Sequence, residues 1–271
     1  MTELLNSGVN PGEKEQNLAN LARELADATR SRIPVPPLAA RFPELTLDDA
    51  YRIQQINMRQ RVLLGGRVAG HKVGLTSLAM QRQMDIHEPD SGFVLDDTIS
   101  PSGTHLRVAD FMTPRIETEF AFRLGRDLSS PADLVTARSA VKEVFLAFEL
   151  LDTCFTGWNI TLVDSIADNA ACAGVIIGNP RPLDCAWDLA AEQITVSVNG
   201  QTAAAGEGRD ILGDPLKALV WLAHRLPALG VPLRAGDIVL AGSVHASIPL
   251  TAGMDIRATS TRLPAIHMQA V

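Results

Sequence analysis

The sequence contains no long apolar stretch, no basic run and no internal repeat, and each absence narrows the class of protein. No segment approaches the roughly 20 consecutive apolar residues that a membrane-spanning helix needs. The first residues are polar and lack the apolar core of a secretory signal peptide. The net charge is −7 and the lysines and arginines are not clustered, which argues against nucleic-acid binding. These absences predict a cytoplasmic protein that binds neither a membrane nor nucleic acid.

Cysteine is also scarce. The chain has only Cys154, Cys172 and Cys185, an odd count without C-x-x-C spacing. This pattern is typical of reduced thiols in a cytoplasmic protein, and it favours a buried structural thiol over a catalytic one. Because no cluster of cysteine and histidine is present, the sequence does not indicate a zinc site.

The apolar content is ordinary, at 46% of 271 residues, with 20% charged residues. That composition allows a soluble globular protein of one large domain or two smaller ones. Leucines at helical spacing predict a first helix from Glu15, and Thr46 with Asp49 predicts a capping box that opens a second helix, ended by Gly65–Gly66. Beyond residue 66 short strand patterns dominate, with a hairpin at Asn199–Gly200. Helices followed by a strand-rich body predict an α+β fold.

Two short segments carry predictions of their own. Ser130 before Pro131 predicts the start of a helix over "SPADLVTARSAVKEV". The segment "EPDSGFVLDDTI" is typical of a loop that leads into a strand, which puts Asp90 in the loop.

Acidic residues inside apolar strands are the most informative feature. In "PRIETEFAF", strand alternation puts Glu117 and Glu119 on one face and the neighbouring apolar side chains on the other. Glu149 lies in a second apolar run, "FLAFELLD". Buried acids are rare unless they are paired or bind a metal, and oxygen ligands suit Mg²⁺ or Mn²⁺. The spacing alone equally allows a solvated face on which these acids pair with Arg115 or Arg123.

Seven motifs, in order, give the sequence a family resemblance. They are "LTLDDAYRIQ", "GHKVGLTS", "EPDSG", "PRIETEFAFRLG", "FELLDT", "DSIADNAA" and "LRAGDIVLAGS". With them the chain resembles the 2-hydroxypenta-2,4-dienoate (2-keto-4-pentenoate) hydratases and the related 4-oxalocrotonate decarboxylases, in the fumarylacetoacetate hydrolase-like superfamily. The resemblance implies a mixed β-roll with an N-terminal helical segment. It divides the chain into a helical region, residues 1–66, that packs on a catalytic domain, residues 67–271.

The same resemblance implies an active site. Glu117, Glu119 and Glu149 match the positions that hold a divalent metal in the family, here Mg²⁺ or Mn²⁺. Lys72 matches an active-site lysine, although a lone lysine is more often a solvated charge. Asp90 matches an active-site acid, although an aspartate before a glycine is often a turn residue. The P-D-x-G pattern around Asp90 favours the hydratase branch over the decarboxylase branch.

Four further residues are secondary candidates for substrate binding or positioning. Asp164 and Asp168 lie in "VDSIADNAA", and Ser243 and His245 lie in "GSVHASIPL". Asp168 is equally compatible with a capping turn, and a histidine such as His245 is more often a surface loop residue.

The chain departs from the resemblance at a few positions. His71 stands where relatives often carry an aromatic or aliphatic residue, and Ala171 stands where many have serine. If that serine binds substrate, Cys172 is the residue here that could replace it. Substrate tail length is expected to depend on Met84, Val163 and Ile248.

The resemblance implies a metal-dependent hydratase that adds water to a 2-hydroxy-2,4-dienoate in the meta-cleavage degradation of aromatic compounds. Lys72 and Asp90 are the expected acid–base groups. The alternatives are a 4-oxalocrotonate-type decarboxylase, a non-catalytic partner subunit of such a decarboxylase, and an acylpyruvate hydrolase. The expected partners are further copies of the chain, in a pentamer or decamer, and a decarboxylase or aldolase of the same pathway.

Overall fold

The computed structural model describes residues 11–76 and 89–271. The α-helices of these residues are α1 (Pro11–Ser31), α2 (Leu38–Arg41), α3 (Leu47–Leu63), α4 (Leu134–Ala140), α5 (Leu162–Ala167) and α6 (Leu216–Arg225). Within the same ranges, no helix has the length and apolar character to cross a membrane.

Fourteen strands make up the described part of the body. They are β1 (Val68–Gly74), β2 (Asp90–Leu95), β3 (Ile99–Pro101), β4 (His105–Leu106), β5 (Arg115–Leu124), β6 (Val141–Leu151), β7 (Cys172–Ile177), β8 (Arg181–Pro182), β9 (Gln193–Val198), β10 (Gln201–Glu207), β11 (Ile238–Ser243), β12 (Ile248–Pro249), β13 (Asp255–Ser260) and β14 (Ile266–Ala270).

The strands form two mixed sheets. The larger has the order β2-β1-β11-β5-β6-β7-β3, with β12 beside β5 and β8 beside β6, and the smaller has the order β10-β9-β13-β14-β4. In the larger sheet β1 is parallel to β11 and β3 to β7, whereas β5 pairs antiparallel with both β11 and β6. Strand β2 also lies against β7 although the two are not paired, so the larger sheet curls on itself.

Each face of the larger sheet covers a different core. Phe120, Phe122 and Phe148 are fully buried against residues of the smaller sheet such as Ile256 and Met268, in the main core between the sheets. The inner face of the curl holds a smaller apolar cluster, made of Val94, Ala121, Phe145, Ala147, Val175, Ile238 and Leu240. Side chains alternate along a strand. The residues two positions before and two positions after Ala121 and Ala147 therefore also face the inside of the curl.

The N-terminal helices pack together and against the loop after β6. Buried leucines of α1 contact α3 residues, and Cys154, Phe155 and Ile166 belong to the same apolar cluster. Helix α3 has the predicted capping box, in which the Asp49 N–H donates to Thr46 Oγ1 (3.2 Å) and the Thr46 N–H donates to Asp49 Oδ2 (3.1 Å). Each bond satisfies a backbone donor that the helix itself cannot.

Two predicted helix starts are wrong. Helix α1 already includes Pro11, the first described residue, so the predicted start at Glu15 is too late. Helix α4 begins at Leu134 rather than near Ser130, because Asp133 caps it by accepting the Thr136 N–H (2.8 Å). The predicted hairpin is confirmed, since β9 and β10 are joined by Asn199–Gly200 with φ of 51° and 79°.

Candidate active site

Strands β5 and β6 bring the three predicted glutamates together. Glu117 lies directly opposite Glu149 in the antiparallel register, and Glu119 follows on the same face of β5. One carboxylate oxygen from each lies within 4.8 Å of the others. Glu119 and Glu149 are fully buried, whereas Glu117 is partly exposed. The cluster therefore lies at the inner face of the curl, open to solvent on the side of Glu117.

The hydrogen bonds of the described residues leave much of this cluster unsatisfied. The Gly242 N–H donates to Glu119 Oε2 (2.7 Å), but Glu119 Oε1 and both carboxylate oxygens of Glu149 accept no hydrogen bond there. Buried carboxylate oxygens without a partner are costly. A divalent cation that prefers oxygen ligands would satisfy them, so the donor set fits such an ion.

The alternative of a solvated acidic face is wrong for this cluster. Arg123 pairs with Glu143 instead (Nε to Oε2, 3.1 Å). Arg115 forms no ion pair with a carboxylate of the described residues, and its Nε donates to Ser247 Oγ (2.7 Å).

Lys72 and Asp90 complete the cluster from the neighbouring strands. Lys72 Nζ lies 3.4 Å from Glu149 Oε1, and both Lys72 and Asp90 are almost fully buried. In the β1–β2 register Asp90 lies opposite Gly74. A Cβ on Gly74 would lie 2.1 Å from Asp90 Oδ1 and 2.9 Å from Lys72 Nζ, so glycine is what lets the two side chains approach each other there.

The predicted loop position of Asp90 is wrong, because Asp90 is the first residue of β2. Pairing with β1 extends the strand to this point. Ser165 Oγ donates to Asp90 Oδ2 (3.3 Å), while Oδ1 accepts no hydrogen bond from the described residues. Asp90 is thus held by backbone pairing, with one carboxylate oxygen available to the site.

Burial and crowding of charge shift the proton affinities of this cluster. Burial, reinforced by the charge of Glu149, raises the pKa of Glu117 to about 8, and the same two causes raise the pKa of Glu119. Burial raises the pKa of Asp90 although Lys72 opposes the shift. Burial alone would lower the pKa of Lys72, but the charges of Glu149 and Asp90 outweigh it and raise that pKa. The metal-free cluster therefore holds extra protons near neutral pH.

If the three glutamates hold a divalent cation, the affinity for that cation should rise between pH 6 and pH 8.5, because their carboxyl groups would have to lose protons on binding. Isothermal titration with Mg²⁺ in buffers of different ionisation enthalpy would measure both the affinity and the protons released. An affinity that is constant over this range, with no proton release, would contradict the assignment.

The stability of the metal-free protein should also depend on pH. The pKa of Glu117 lies near 8 in the folded protein and near its usual 4.5 in the unfolded chain. Between these values the folded state binds more protons, so the contribution of Glu117 to stability falls as pH rises. The Tm of the metal-free Glu117→Gln variant should therefore decrease less with pH than that of the wild type.

Asp164 and Asp168 are engaged in the local fold. Asp164 is fully buried, and its oxygens accept the N–H groups of Ala39 (3.0 Å) and Thr161 (2.9 Å), which caps α5 and ties it to α2. Asp168 Oδ2 accepts Thr153 Oγ1 (2.9 Å) and the Cys154 N–H (2.8 Å), and burial raises the pKa of Asp168 to about 6. Both aspartates position the chain segments around the site.

Ser243 and His245 form a turn behind Glu119. Ser243 pairs with Glu119 in the β11–β5 register, and its hydroxyl donates to the His245 carbonyl (2.7 Å). The Thr118 N–H donates to His245 Nε2 (3.2 Å), and Nδ1 lies 2.8 Å from the Ala246 carbonyl. Burial lowers the pKa of His245. A neutral ring that accepts at Nε2 and donates at Nδ1 uses both nitrogens to hold backbone, and it is half-buried rather than on the surface.

Sequence reasoning missed Asn169 as a positioning residue. Its side-chain amide accepts the Phe93 N–H (2.8 Å) and donates to the Phe93 carbonyl (2.9 Å), so it pairs with the backbone of β2. Asn169, Ala170 and Ala171 all have positive φ (57°, 52° and 58°), which is unfavourable for residues with a Cβ. The "DN" pair is the one sequence signal, since asparagine tolerates this conformation best.

Cys172 follows this turn and contacts the cluster. Burial, together with the charge of Glu149, raises the pKa of the Cys172 thiol. Cys172 is therefore close enough to Glu149 to take the place of a serine at position 171, as the sequence led us to expect.

Two of the residues expected to set tail length pack against different apolar clusters. Val163 packs with the N-terminal helices and Ile248 packs on the main core. Met84 lies outside the described residues.

Three comparisons place the chain among known proteins. The family model described as fumarylacetoacetate (FAA) hydrolase C-terminal matches residues 67–269. The 2-hydroxyhexa-2,4-dienoate hydratase of Comamonas testosteroni is 37% identical over 244 residues, which cover 88% of this chain and 92% of that protein. The 2-keto-4-pentenoate hydratase of Paraburkholderia xenovorans is 36% identical over 239 residues, which cover 88% of this chain and 89% of that protein.

Among solved structures, a 4-oxalocrotonate decarboxylase from Pseudomonas putida G7, complexed with magnesium and adipate, superposes with a TM-score of 0.92. It is 26% identical, and the superposition covers 98% of this chain and 100% of that chain.

The match of the family model over most of the chain defines the class as fumarylacetoacetate hydrolase-like. The sequence identity to the two hydratases exceeds 30% along most of their length. The chain therefore belongs to the family of the 2-keto-4-pentenoate hydratases. The family and the α+β roll expected from the sequence are confirmed.

Proposed function

We propose that this protein is a divalent-metal-dependent hydro-lyase that adds water to a 2-hydroxy-2,4-dienoate, such as 2-hydroxypenta-2,4-dienoate, to give a 4-hydroxy-2-oxo acid. The pathway would be the meta-cleavage degradation of aromatic compounds. The observation that carries the proposal is the group of buried carboxylate oxygens of Glu119 and Glu149 that accept no hydrogen bond from the described residues, with Lys72 Nζ 3.4 Å from Glu149 Oε1. The names of the relatives that match most of the chain support the same activity.

Glu117, Glu119 and Glu149 would hold the metal ion, for which we propose Mg²⁺ or Mn²⁺. A bound ion of this kind acts as a Lewis acid that polarises the oxygens of a 2-oxo acid. An all-oxygen donor set suits such ions. Two structures of the Pseudomonas putida G7 decarboxylase contain magnesium and calcium, which supports a hard divalent cation in this fold.

Lys72 and Asp90 would perform the acid–base chemistry. Lys72 is protonated, since the charges of Glu149 and Asp90 raise its pKa, and it can bind the substrate carboxylate or the oxygen that gains negative charge. Asp90 has a raised pKa and a carboxylate oxygen without a partner among the described residues, so it can hold and return a proton.

The reaction needs two protonations at carbon, each balanced by the loss of one proton. Protonation of the far diene carbon, with loss of the enol proton, gives an α,β-unsaturated 2-oxo acid. Water then adds at C4 and gives up one proton, while C3 gains one, so the net change is the addition of a single water. We assign these transfers to Asp90 and Lys72 together.

EDTA should abolish the turnover of 2-hydroxypenta-2,4-dienoate, and added Mg²⁺ or Mn²⁺ should restore it. The measurement is the loss of dienoate absorbance, with the wild-type enzyme in chelator-free buffer as the control. Full activity in excess EDTA would contradict the metal role.

A metal-dependent decarboxylase of the 4-oxalocrotonate type is the second candidate, favoured by the superposition on the Pseudomonas putida G7 enzyme. Asp90 in P-D-x-G supports the hydratase instead. Release of CO₂ from 4-oxalocrotonate, without hydration of a dienoate, would favour the decarboxylase. A protein inactive on both substrates that binds a decarboxylase subunit tightly would favour the partner role.

We also propose a cytoplasmic homo-oligomer, a pentamer or decamer, that can associate with a decarboxylase or aldolase of the same pathway. The division into a helical region, residues 1–66, and a catalytic domain, residues 67–271, belongs to the same proposal.

A further inference from the structure

A groove on the outer side of β1 is separate from the glutamate cluster. Helix α3 and residues 229–237 form its walls, and residues of β1 and β2 form its floor. His71 lies on the floor, and its side chain points to the opposite face of β1 from that of Lys72, because consecutive residues of a strand alternate. The volume of this outer groove, about 580 Å³, is typical of a small-molecule site.

The outer groove is lined largely by apolar side chains. They include Met58, Val62, Val68, Phe93, Val231 and Pro232. Several of its polar side chains are already used by the fold. Gln55 Nε2 donates to the Leu229 carbonyl (2.9 Å), and the Arg234 guanidinium pairs with Asp127 (2.6 Å). Asp237 accepts the Arg234 N–H (2.7 Å).

His71 differs from these polar groups because it is buried and unpaired. The residue is only 2% exposed, and neither ring nitrogen forms a hydrogen bond with a described residue. Burial lowers the pKa of His71 to about 4, so the ring is neutral at physiological pH. A neutral imidazole has one N–H donor and one acceptor nitrogen. Leaving both without a partner in a buried position is costly.

These features define the chemistry of a complementary ligand. The Phe93 ring lies 5.3 Å from the imidazole and is tilted by 49° to it, so an aromatic ligand can pack against Phe93 and the thioether of Met58. A hydroxyl group can donate to the acceptor nitrogen of His71 or accept from its N–H. A charged ligand is disfavoured on the groove floor, because the walls are apolar and Arg59 is exposed to solvent.

We propose that the outer groove binds a neutral aromatic molecule that carries one hydroxyl group, a phenol, and that this hydroxyl forms a hydrogen bond with His71. The inference does not depend on the proposed function, since none of the three glutamates takes part. The other possible occupant is a second copy of the chain, which the test below separates from a small molecule.

The test compares 2-naphthol, a bicyclic phenol, with 2-methylnaphthalene, in which a methyl group replaces the hydroxyl. Both compounds fluoresce, so the fluorescence anisotropy of each one, titrated with the full-length protein, gives its Kd. His71→Phe keeps a ring of similar shape but removes both nitrogens, which would leave the naphthol hydroxyl buried without a partner. The Kd of 2-naphthol relative to that of 2-methylnaphthalene should therefore rise about 10-fold from the wild type to His71→Phe. The Tm of this variant should not fall, because it removes an unpaired polar group.

A second variant locates the bound compounds. Val62 lines the groove and is 46% exposed, so Val62→Trp can fill the groove without entering the core. It should weaken the binding of both compounds at least about 10-fold. The matched control is Val135→Trp, at a 76% exposed position on α4, and it should bind both compounds like the wild type.

A Kd ratio that is the same in His71→Phe and in the wild type would overturn the inference, because the hydroxyl would then not contact His71. Wild-type affinity in Val62→Trp would also overturn it, because the compounds would then bind elsewhere. Binding of neither compound by the wild type would overturn it too. If Val62→Trp then also dissociated the protein into smaller species by light scattering, the occupant of the groove would be a second copy of the chain.

Discussion

An Asp90→Asn enzyme should hydrate its dienoate at least about 10²-fold more slowly than the wild type, the usual scale for loss of a general acid–base group. Asparagine keeps the shape of the protonated carboxyl group that burial favours at this position, but it cannot exchange a proton. The affinity for Mg²⁺ should remain nearly unchanged, because Asp90 is not one of the three clustered glutamates.

Two measurements check this expectation: the loss of dienoate absorbance gives the rate, and calorimetry gives the Mg²⁺ affinity. Asp97→Asn is a matched control, since Asp97 lies just beyond the same strand in an exposed ion pair with Arg61 (2.8 Å). The control should retain wild-type rate and affinity. An unaltered rate in Asp90→Asn would remove Asp90 from the mechanism.

A Glu119→Gln protein should lose more than about 10²-fold in Mg²⁺ affinity and nearly all activity. Substitution of groups that only support a metal ligand already costs 10- to 100-fold, and loss of a ligand oxygen should cost more. The glutamine can still accept the Gly242 N–H, so the local backbone is retained. The metal-free variant should be at least as stable as the metal-free wild type, because a buried acid next to Glu149 is removed.

The control for this variant is Glu143→Gln, on the neighbouring strand β6 but paired with Arg123 (3.1 Å). It should bind Mg²⁺ like the wild type. Retention of wild-type Mg²⁺ affinity by Glu119→Gln, or a marked fall in the Tm of its metal-free form, would show that this carboxylate serves the fold rather than the ion.

Much of the site could be predicted from the sequence because its main elements are local. Alternation in β5 puts Glu117 and Glu119 on one face whatever the tertiary structure. The burial of that face could not be predicted, because it depends on the curl that brings β2 against β7. The same long-range pairing, between β1 and β2, moves Asp90 from the expected loop into a strand.

Other features of the site could not be predicted from the sequence, because they oppose the conformational preference of the residues involved or depend on the surrounding structure. Ala170 and Ala171 adopt positive φ, which alanine disfavours, so nothing in their identity indicates the turn that precedes Cys172. His245 is a chemically versatile residue whose ring nitrogens are both used by backbone groups, and only the surrounding structure reveals this.

The pairing of Glu117 with Glu149 also constrains the strand register in which the chain can fold. If β5 slipped by one position against its neighbours, its acidic residues would turn toward the aromatic layer between the two sheets, and Phe120 would turn toward the inner face of the curl. Correct folding and the gathering of the three glutamates are thus a single event. Substitutions deep in the aromatic layer, far from any reacting atom, should be able to abolish metal uptake by shifting one strand.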